Sequence, residues 1–262
     1  MNILSIEWLK VKKYRTFWVL IGFFILLLPL WNYSINSGIV KMGGKDSINF
    51  LNQAYNFQNV WSNLGWWTSI FVTFISILII ILTSNEYSFR TNRQNIIDGL
   101  TRLQFYHAKW LMVFALTIFT TIYVFVLGVA FGMSNDDASN FPGKLMPLFS
   151  VFVLSLNYYA FGLFLAVMFK RSGLSIGMFF LYSMIIEYLS KGLINWMSKS
   201  EVGNYLPLQA SDELLPFPLL STLKAMTGAA EEPNQWGFVA VSFVWIVIYY
   251  LIGRYRLLKS DW

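Results

Sequence analysis

The side chains that usually carry catalysis or bind metals are scarce in this chain. Its 262 residues include no cysteine and a single histidine, His107. Disulfides, thiolate chemistry and clusters of several histidines around a metal are therefore excluded. The sequence also shows no Ser/His/Asp arrangement, no pair of catalytic carboxylates and no metal-ligand spacing. We therefore expect a chain that is not an enzyme and that holds no cofactor or metal of its own.

The nearest approach to an ATP-binding motif is a glycine-containing segment, 38–45. It misses the spacing of a phosphate-binding loop by one residue and lacks a Ser or Thr directly after Lys45. We therefore expect that any nucleotide is bound by another chain.

Glu187 is the most unusual charged residue, because it interrupts an apolar run, 174–196. A carboxylate within a membrane segment is costly unless it faces a cavity or a partner, so one interpretation is a role in a transport pathway or in helix packing. The other is a position near the outer headgroups, paired with Lys191 one turn later. The sequence leaves both open.

The composition indicates a chain that lies largely in lipid. Hydrophobic residues make up 56% of the sequence and charged residues only 12%, whereas soluble domains carry about 25% charged residues. Continuous apolar runs predict transmembrane helices rather than the alternating strands of a barrel. The predicted fold class is therefore an all-α, polytopic membrane protein.

The whole chain, 1–262, is predicted to be a single transmembrane domain that contains six apolar runs. The first 15 residues read as an amphipathic elbow helix on the membrane surface, 84–104 as a cytoplasmic coupling loop and 197–235 as an outer loop. The predicted spans are 16–33, 66–82, 110–133, 145–169, 174–196 and 236–257.

The distribution of lysine and arginine predicts the orientation. Thirteen of the nineteen lie on the side of the two termini and six on the other. Cytoplasmic loops are enriched in Lys and Arg, so both termini are expected in the cytoplasm. The same enrichment explains the net charge of +6 without a nucleic-acid partner.

The loop after the second span carries helix-boundary signals. Thr83 with Glu86 fits a capping box that would open a short helix, and Gly99 fits its end. Thr101 with Gln104 fits a second box that would open the third span.

The short helix between these signals would have one apolar and one cationic face. Such a helix could dock into a groove on a soluble partner, or could be only a positive anchor at the inner surface. Its apolar positions are Ile96, Ile97, Leu100 and Leu103, and its cationic ones are Arg90, Arg93 and Arg102.

Three segments together resemble the permeases of the type-two, exporter-like class of ATP-binding cassette transporters. Glu86-x-x-x-x-Thr91, followed by basic residues, resembles the loop after their second span. The last residues, 254–261, resemble their basic tail, and 7–15 resembles their elbow helix. Arg90 departs from the pattern, since many relatives carry a small residue before the threonine.

The resemblance implies a permease subunit that moves an amphipathic or lipidic cargo by alternating access. Two copies of a separate ATPase, carrying ATP and magnesium, would bind a pair of permeases, either a homodimer or two related chains, in the bacterial inner membrane. The first, second and fifth spans would line the pathway. ATPase coupling would fall to Glu86, Tyr87, Arg90, Thr91, Arg93, Ile96, Ile97 and Arg102, and the elbow contacts to Glu7, Trp8, Lys10, Lys12 and Lys13.

Two alternatives remain at the level of sequence. An ion-coupled secondary transporter would need buried ionisable residues, which only Glu187 approaches. A membrane scaffold or assembly factor that transports nothing would need no such residue. Two glycine pairs, Gly128/Gly132 and Gly173/Gly177, would allow close helix contact in any of these.

Overall fold

A computed structural model describes residues 3–39, 54–97, 99–217 and 235–259. These residues form helices and no strand, and six of the helices are long and apolar enough to cross a membrane. The predicted all-α class with six spans is confirmed. The segment that was compared with a phosphate-binding loop, 38–45, lies mostly outside the described residues.

The α-helices are numbered in chain order. The fifth span consists of two α-helices joined by a π-helical turn, Leu181–Ile186. The short ones are α1 (Ile3–Lys12), α4 (Thr91–Ile97) and α9 (Gln209–Asp212). The spans are α2 (Arg15–Asn36), α3 (Val60–Ser88), α5 (Arg102–Asn135), α6 (Met146–Phe169), α7–α8 (Ser172–Phe180 and Glu187–Ser198) and α10 (Gln235–Lys259).

Alternating helix directions place α1, α4 and the end of α10 at one end of the bundle, which we call the elbow end. Spans 2 and 3 contain 29 and 34 residues, whereas crossing a bilayer core takes about 20. Both helices are therefore long enough to reach beyond the hydrocarbon.

Span 4 is the centre of the bundle. Its most apolar stretch is 83% buried within the chain, against 17% for span 5 and 28% for span 1. Span 4 packs against spans 2, 3 and 6, and a helix that is apolar all round suits such a position. Spans 1 and 5 consequently leave most of their apolar surface uncovered.

The predicted capping box at Thr83 and Glu86 is wrong. Both residues lie inside α3, which continues to Ser88. Thr83 and Ser84 are fully buried and Glu86 is 8% exposed, so packing against neighbouring helices keeps this segment helical where the local signal suggested a new start. The short helix begins instead at Thr91, after Arg90 adopts a left-handed backbone with φ +57°.

The other two boundary signals are confirmed. Gly99 has φ +99° and its N–H donates to the carbonyl of Ile96 at 3.0 Å, which ends the turn after α4. Thr101 accepts from the N–H of Gln104 at 3.2 Å, and the Gln104 side chain accepts from the N–H of Thr101 at 2.9 Å. This reciprocal capping box opens span 3.

One of the two glycine pairs makes a close contact within the chain. A Cβ at Gly128 would lie 2.3 Å from the Trp61 ring, and one at Gly132 would lie 2.4 Å from the Phe57 ring. Gly173 and Gly177 face open space. The first pair therefore lets span 3 approach the start of span 2.

Candidate functional site

Four charged side chains from three helices meet at the elbow end of the bundle. The Lys109 ammonium lies 2.6 Å from a Glu7 carboxylate oxygen and 2.5 Å from one of Glu86. Lys10 completes the group, 3.1 Å from Glu7 and 3.3 Å from Glu86. We call these four residues the ionic cluster. It joins the elbow helix α1, the end of span 2 and the start of span 3.

The ionic cluster is enclosed and electrically balanced. Lys109 is 1% exposed, and both carboxylates are buried. Burial raises the pKa of Glu7, but the charges of Lys109 and Lys10 and their hydrogen bonds outweigh it, so this pKa lies below its usual value. Two carboxylates and two ammonium groups cancel, which is the condition under which buried charges are tolerated.

Local structure positions the members of the cluster. Glu7 and Lys10 are three residues apart in α1 and therefore share a face. The Phe105 ring, one turn before Lys109 in span 3, lies 5.3 Å from its ammonium. A separate bond, from the Asn85 side-chain amide to the Tyr14 hydroxyl at 2.7 Å, ties the turn after α1 to span 2. The elbow and span 2 are thus fastened at two points.

The structure separates the predicted coupling residues into two groups. Glu86 lies inside the ionic cluster, and Tyr87 beside it is half-buried, with the Lys170 ammonium 5.5 Å from its ring. Arg102 is half-buried and donates to the Leu258 carbonyl at the end of span 6, at 2.8 Å. The remaining members lie in α4 or directly before it. Arg90, Thr91, Arg93 and Ile97 are exposed, and Ile96 is half-buried.

The exposed residues in and directly before α4 include both apolar and cationic side chains. Phe89 and Ile97 are 74% and 77% exposed, and Arg90 and Arg93 lie between them in sequence, exposed as well. We call Phe89, Arg90, Arg93 and Ile97 the coupling surface. Large apolar side chains exposed beside arginines are typical of a surface that binds another protein.

The predicted elbow residues also divide by exposure. Glu7 is buried and Lys10 half-buried, whereas Trp8, Lys12 and Lys13 are exposed. The indole N–H of Trp18, on span 1, donates to the Lys12 carbonyl at 2.9 Å and fixes the turn between α1 and α2.

Lys109 is the site residue that sequence reasoning grouped only with the basic loops. The available signal was its position next to Trp110, within a run that continues as an apolar span. A lysine buried in such a span requires a carboxylate partner. The candidate partners were Glu7, in the predicted elbow helix, and Glu86, just after the predicted second span.

A second polar site lies toward the opposite end, where residues 201–217 fold against spans 4, 5 and 6. We call these residues the outer segment. Glu187, 1% exposed, accepts from the backbone N–H groups of Leu208 and Gln209 at 2.6 and 3.1 Å. It therefore holds the first turn of α9. The Asn157 amide of span 4 donates to the Pro207 carbonyl at 2.7 Å.

Two further contacts hold the outer segment. Tyr158 donates to the Asp212 carboxyl group at 2.9 Å, and Lys191 pairs with Glu213 rather than with Glu187. Burial raises the pKa of Asp212 to about 8, and the charge of Glu187 adds to the effect, against the hydrogen bond from Tyr158. Pro207 and Pro216 flank the short helix α9 on either side.

The described residues thus form six spans, with an elbow helix bonded to three of them and a cationic loop helix at the same end, which is the architecture of a multi-pass membrane protein. The family comparison agrees. The model of the ABC-2 family transporter protein matches residues 3–186, from the elbow helix to the residue before Glu187. The chain belongs to this family, and the resemblance to type-two permeases is confirmed. No curated protein and no solved structure matches it.

Membership of this family assigns the chain a general role. It is a permease subunit of an ATP-binding cassette transporter, and it works with an ATP-binding subunit. The matched region contains the ionic cluster and the coupling surface but not the outer segment.

Proposed function

We propose that this chain is the permease of an exporter in the bacterial inner membrane, with both termini in the cytoplasm. A separate ATPase, which binds ATP and magnesium, would dock on the coupling surface. Its nucleotide-driven movement would pass through the ionic cluster into spans 2 and 3 and drive alternating access.

The observation that carries this proposal is the linkage of three helices by buried charges. Removing one partner from a buried ion pair costs about 3–5 kcal/mol. The elbow helix and the ends of spans 2 and 3 therefore favour moving together over separating. Only two residues separate α3 from α4. A force that the ATPase exerts on α4 would therefore act close to the ionic cluster.

The uncovered spans support a pair of permeases. Spans 1 and 5 bury the least of their surface within the chain, which leaves them available to a second permease and to the pathway between the two. We propose two permeases, identical or related, with two ATPases. The large exposed aliphatic and aromatic side chains on these spans, such as Phe23, Leu26 and Leu189, suit an amphipathic or lipidic cargo.

The geometry gives an ion-coupled alternative little support. Such a transporter needs ionisable groups that can gain and lose an ion within the pathway. Among the described residues, Lys109 is matched by two carboxylates and Glu187 is bonded to backbone N–H groups of the outer segment. Asp212, the other buried acid of that site, accepts from the Tyr158 hydroxyl. Each of these groups has a structural partner.

Co-expression with a candidate ATP-binding cassette ATPase tests the docking step. Ile97→Asp and Arg93→Glu place negative charge on the coupling surface, and we expect each to reduce co-purification of the ATPase. Lys144→Glu, a charge reversal at an exposed position of the opposite end, is the matched control and should leave the complex intact. Equal co-purification of all three variants would contradict the proposed docking surface.

Transport into inverted membrane vesicles tests function and direction. Vesicles with the assembled complex should take up a fluorescent phospholipid analogue when ATP is supplied, since their interior corresponds to the cell exterior. Uptake that persists without ATP and collapses with an uncoupler would show instead a transporter driven by an ion gradient.

A further inference from the structure

An apolar cleft lies between the elbow helix α1 and spans 1 and 3. Its volume is about 360 Å³, within the range of about 300–1,000 Å³ found for ligand-binding pockets. Apart from Glu7, all its lining side chains are apolar. The lining consists of Glu7, Trp8, Val11, Phe17, Trp18, Ile21, Ile25, Met112, Ala115, Leu116 and Phe119.

The cleft faces the membrane rather than the centre of the bundle. Trp8 and Trp18 on its lining are 51% and 52% exposed, and Ala115 of span 3 is exposed as well. Because spans 1 and 3 cross the hydrocarbon, a cleft open on their outer side is in contact with lipid chains. Trp8 and Trp18 suit the headgroup layer, where amphipathic rings are favoured.

The exposed charges beside the cleft are positive. Lys12 is the last residue of α1, Lys13 follows it and Arg15 begins α2, and all three are exposed. The bond from the Trp18 indole to the Lys12 carbonyl holds the backbone of Lys12 next to a side chain that lines the cleft. The carboxylate of Glu7, on the lining, is neutralised by Lys109 and Lys10. The mouth of the cleft therefore favours an anion.

We infer that the cleft is a binding site for one phospholipid of the adjacent leaflet. One acyl chain occupies the space between α1 and spans 1 and 3, and an anionic headgroup lies against Lys12, Lys13 and Arg15. The combination matches a lipid on both counts, since the cavity is apolar and continuous with the bilayer, and cations lie at its edge. The site is separate from the proposed docking of an ATPase.

Native mass spectrometry of the delipidated chain, titrated with phosphatidylglycerol or phosphatidylcholine, tests this site. We expect one strongly retained phosphatidylglycerol per chain and weaker retention of phosphatidylcholine. Ala115→Phe fills the cleft from a lipid-exposed position, so it should remove the retained lipid without disturbing the core. Thermal unfolding would verify that the variant folds.

Val126→Phe is the matched control, because Val126 is exposed on the same helix and away from the cleft. It should retain lipid as the unmodified chain does. The double variant Lys12→Gln/Lys13→Gln should lower phosphatidylglycerol retention about tenfold or more, as expected for two cations near an anionic surface, with phosphatidylcholine unaffected. Lys144→Gln/Lys199→Gln at the opposite end should change neither.

Three results would overturn the inference. Equal lipid retention by Ala115→Phe and Val126→Phe would show that the lipid is not in the cleft. Equal retention of the two lipids by the unmodified chain would remove the role of the cations, and retention no higher than nonspecific background would remove the site. Because these measurements use the permease alone, they are independent of whether an ATPase binds.

Discussion

Lys109 shows how strongly a single buried charge constrains this protein. Its ammonium contacts both carboxylates of the ionic cluster and is almost completely enclosed. In such surroundings a charge is tolerated only with its partners in place, so each partner fixes the position of the helix that carries it. Asp212 accommodates burial in a different way. Its pKa is raised, so the protonated, uncharged acid is favoured.

Replacing Lys109 by alanine should be strongly destabilising. Glu7 and Glu86 would then share only Lys10, and an uncompensated buried charge costs about 3–5 kcal/mol. Thermal unfolding in detergent should show a much lower midpoint than for Lys12→Ala, whose side chain is exposed on the same helix as Glu7. The double variant Glu86→Gln/Lys109→Met should recover much of the loss, because it removes opposite charges together. A midpoint for Lys109→Ala equal to that of Lys12→Ala would contradict a paired, buried Lys109.

The stability of the outer segment should depend on pH through Asp212. Its pKa is raised from 3.8 to about 8 in the folded protein, so the folded state keeps a proton that the unfolded chain releases. The resulting stabilisation is complete below the unfolded pKa and is lost as pH rises through about 8. Limited proteolysis at 201–217 should therefore become faster on passing to alkaline pH, beyond any change in the protease itself.

Asp212→Asn should weaken this dependence, because the amide imitates the protonated acid and can still accept from Tyr158. Glu201→Gln, at an exposed position of the same segment, is the control and should keep it. An unchanged pH profile in Asp212→Asn would assign the dependence to another group.

At the scale of elements, the close approach of spans 2 and 3 depends on small residues. The Trp61 ring that faces Gly128 cannot move freely: it stacks on Phe125 at 5.5 Å, and its indole N–H donates to the Pro142 carbonyl at 2.8 Å. Added volume at Gly128 must therefore displace a ring that is held on two sides.

Gly128→Ala should consequently destabilise the chain by about 1–3 kcal/mol, the usual cost of overpacking. Gly177→Ala provides the matched comparison, because a Cβ at Gly177 meets nothing within 4 Å. Thermal unfolding of the two variants should show a clear loss for the first and little change for the second. Equal midpoints would mean that span 3 does not pack on Trp61 as described.

At the scale of the whole molecule, the bundle has two differently built ends. The elbow end carries the ionic cluster, the coupling surface and the cations of α1, whereas the opposite end carries the outer segment held by Glu187 and its neighbours. This asymmetry agrees with the proposed arrangement, in which an ATPase acts at one end and the cargo leaves at the other.

Single-cysteine variants can establish which end faces the cytoplasm, since the chain contains no cysteine. In intact cells, a membrane-impermeant thiol reagent should label Lys144→Cys and Lys199→Cys but not Lys13→Cys or Arg171→Cys. All four positions are exposed in the structure, so burial does not prevent labelling. The opposite pattern would invert the predicted orientation.

The sequence by itself determined the class of fold, because continuous apolar runs have only one stable backbone solution in lipid, the helix. It also determined the boundaries at Gly99 and Thr101, where the cap is made by residues close in sequence. Only the tertiary structure decided that Thr83 and Glu86 lie inside a continuous helix, since contacts with other helices overrode a local capping signal. It likewise brought together Glu7, Glu86 and Lys109, which are distant in sequence, because the need to pair buried charges depends on which helices are neighbours.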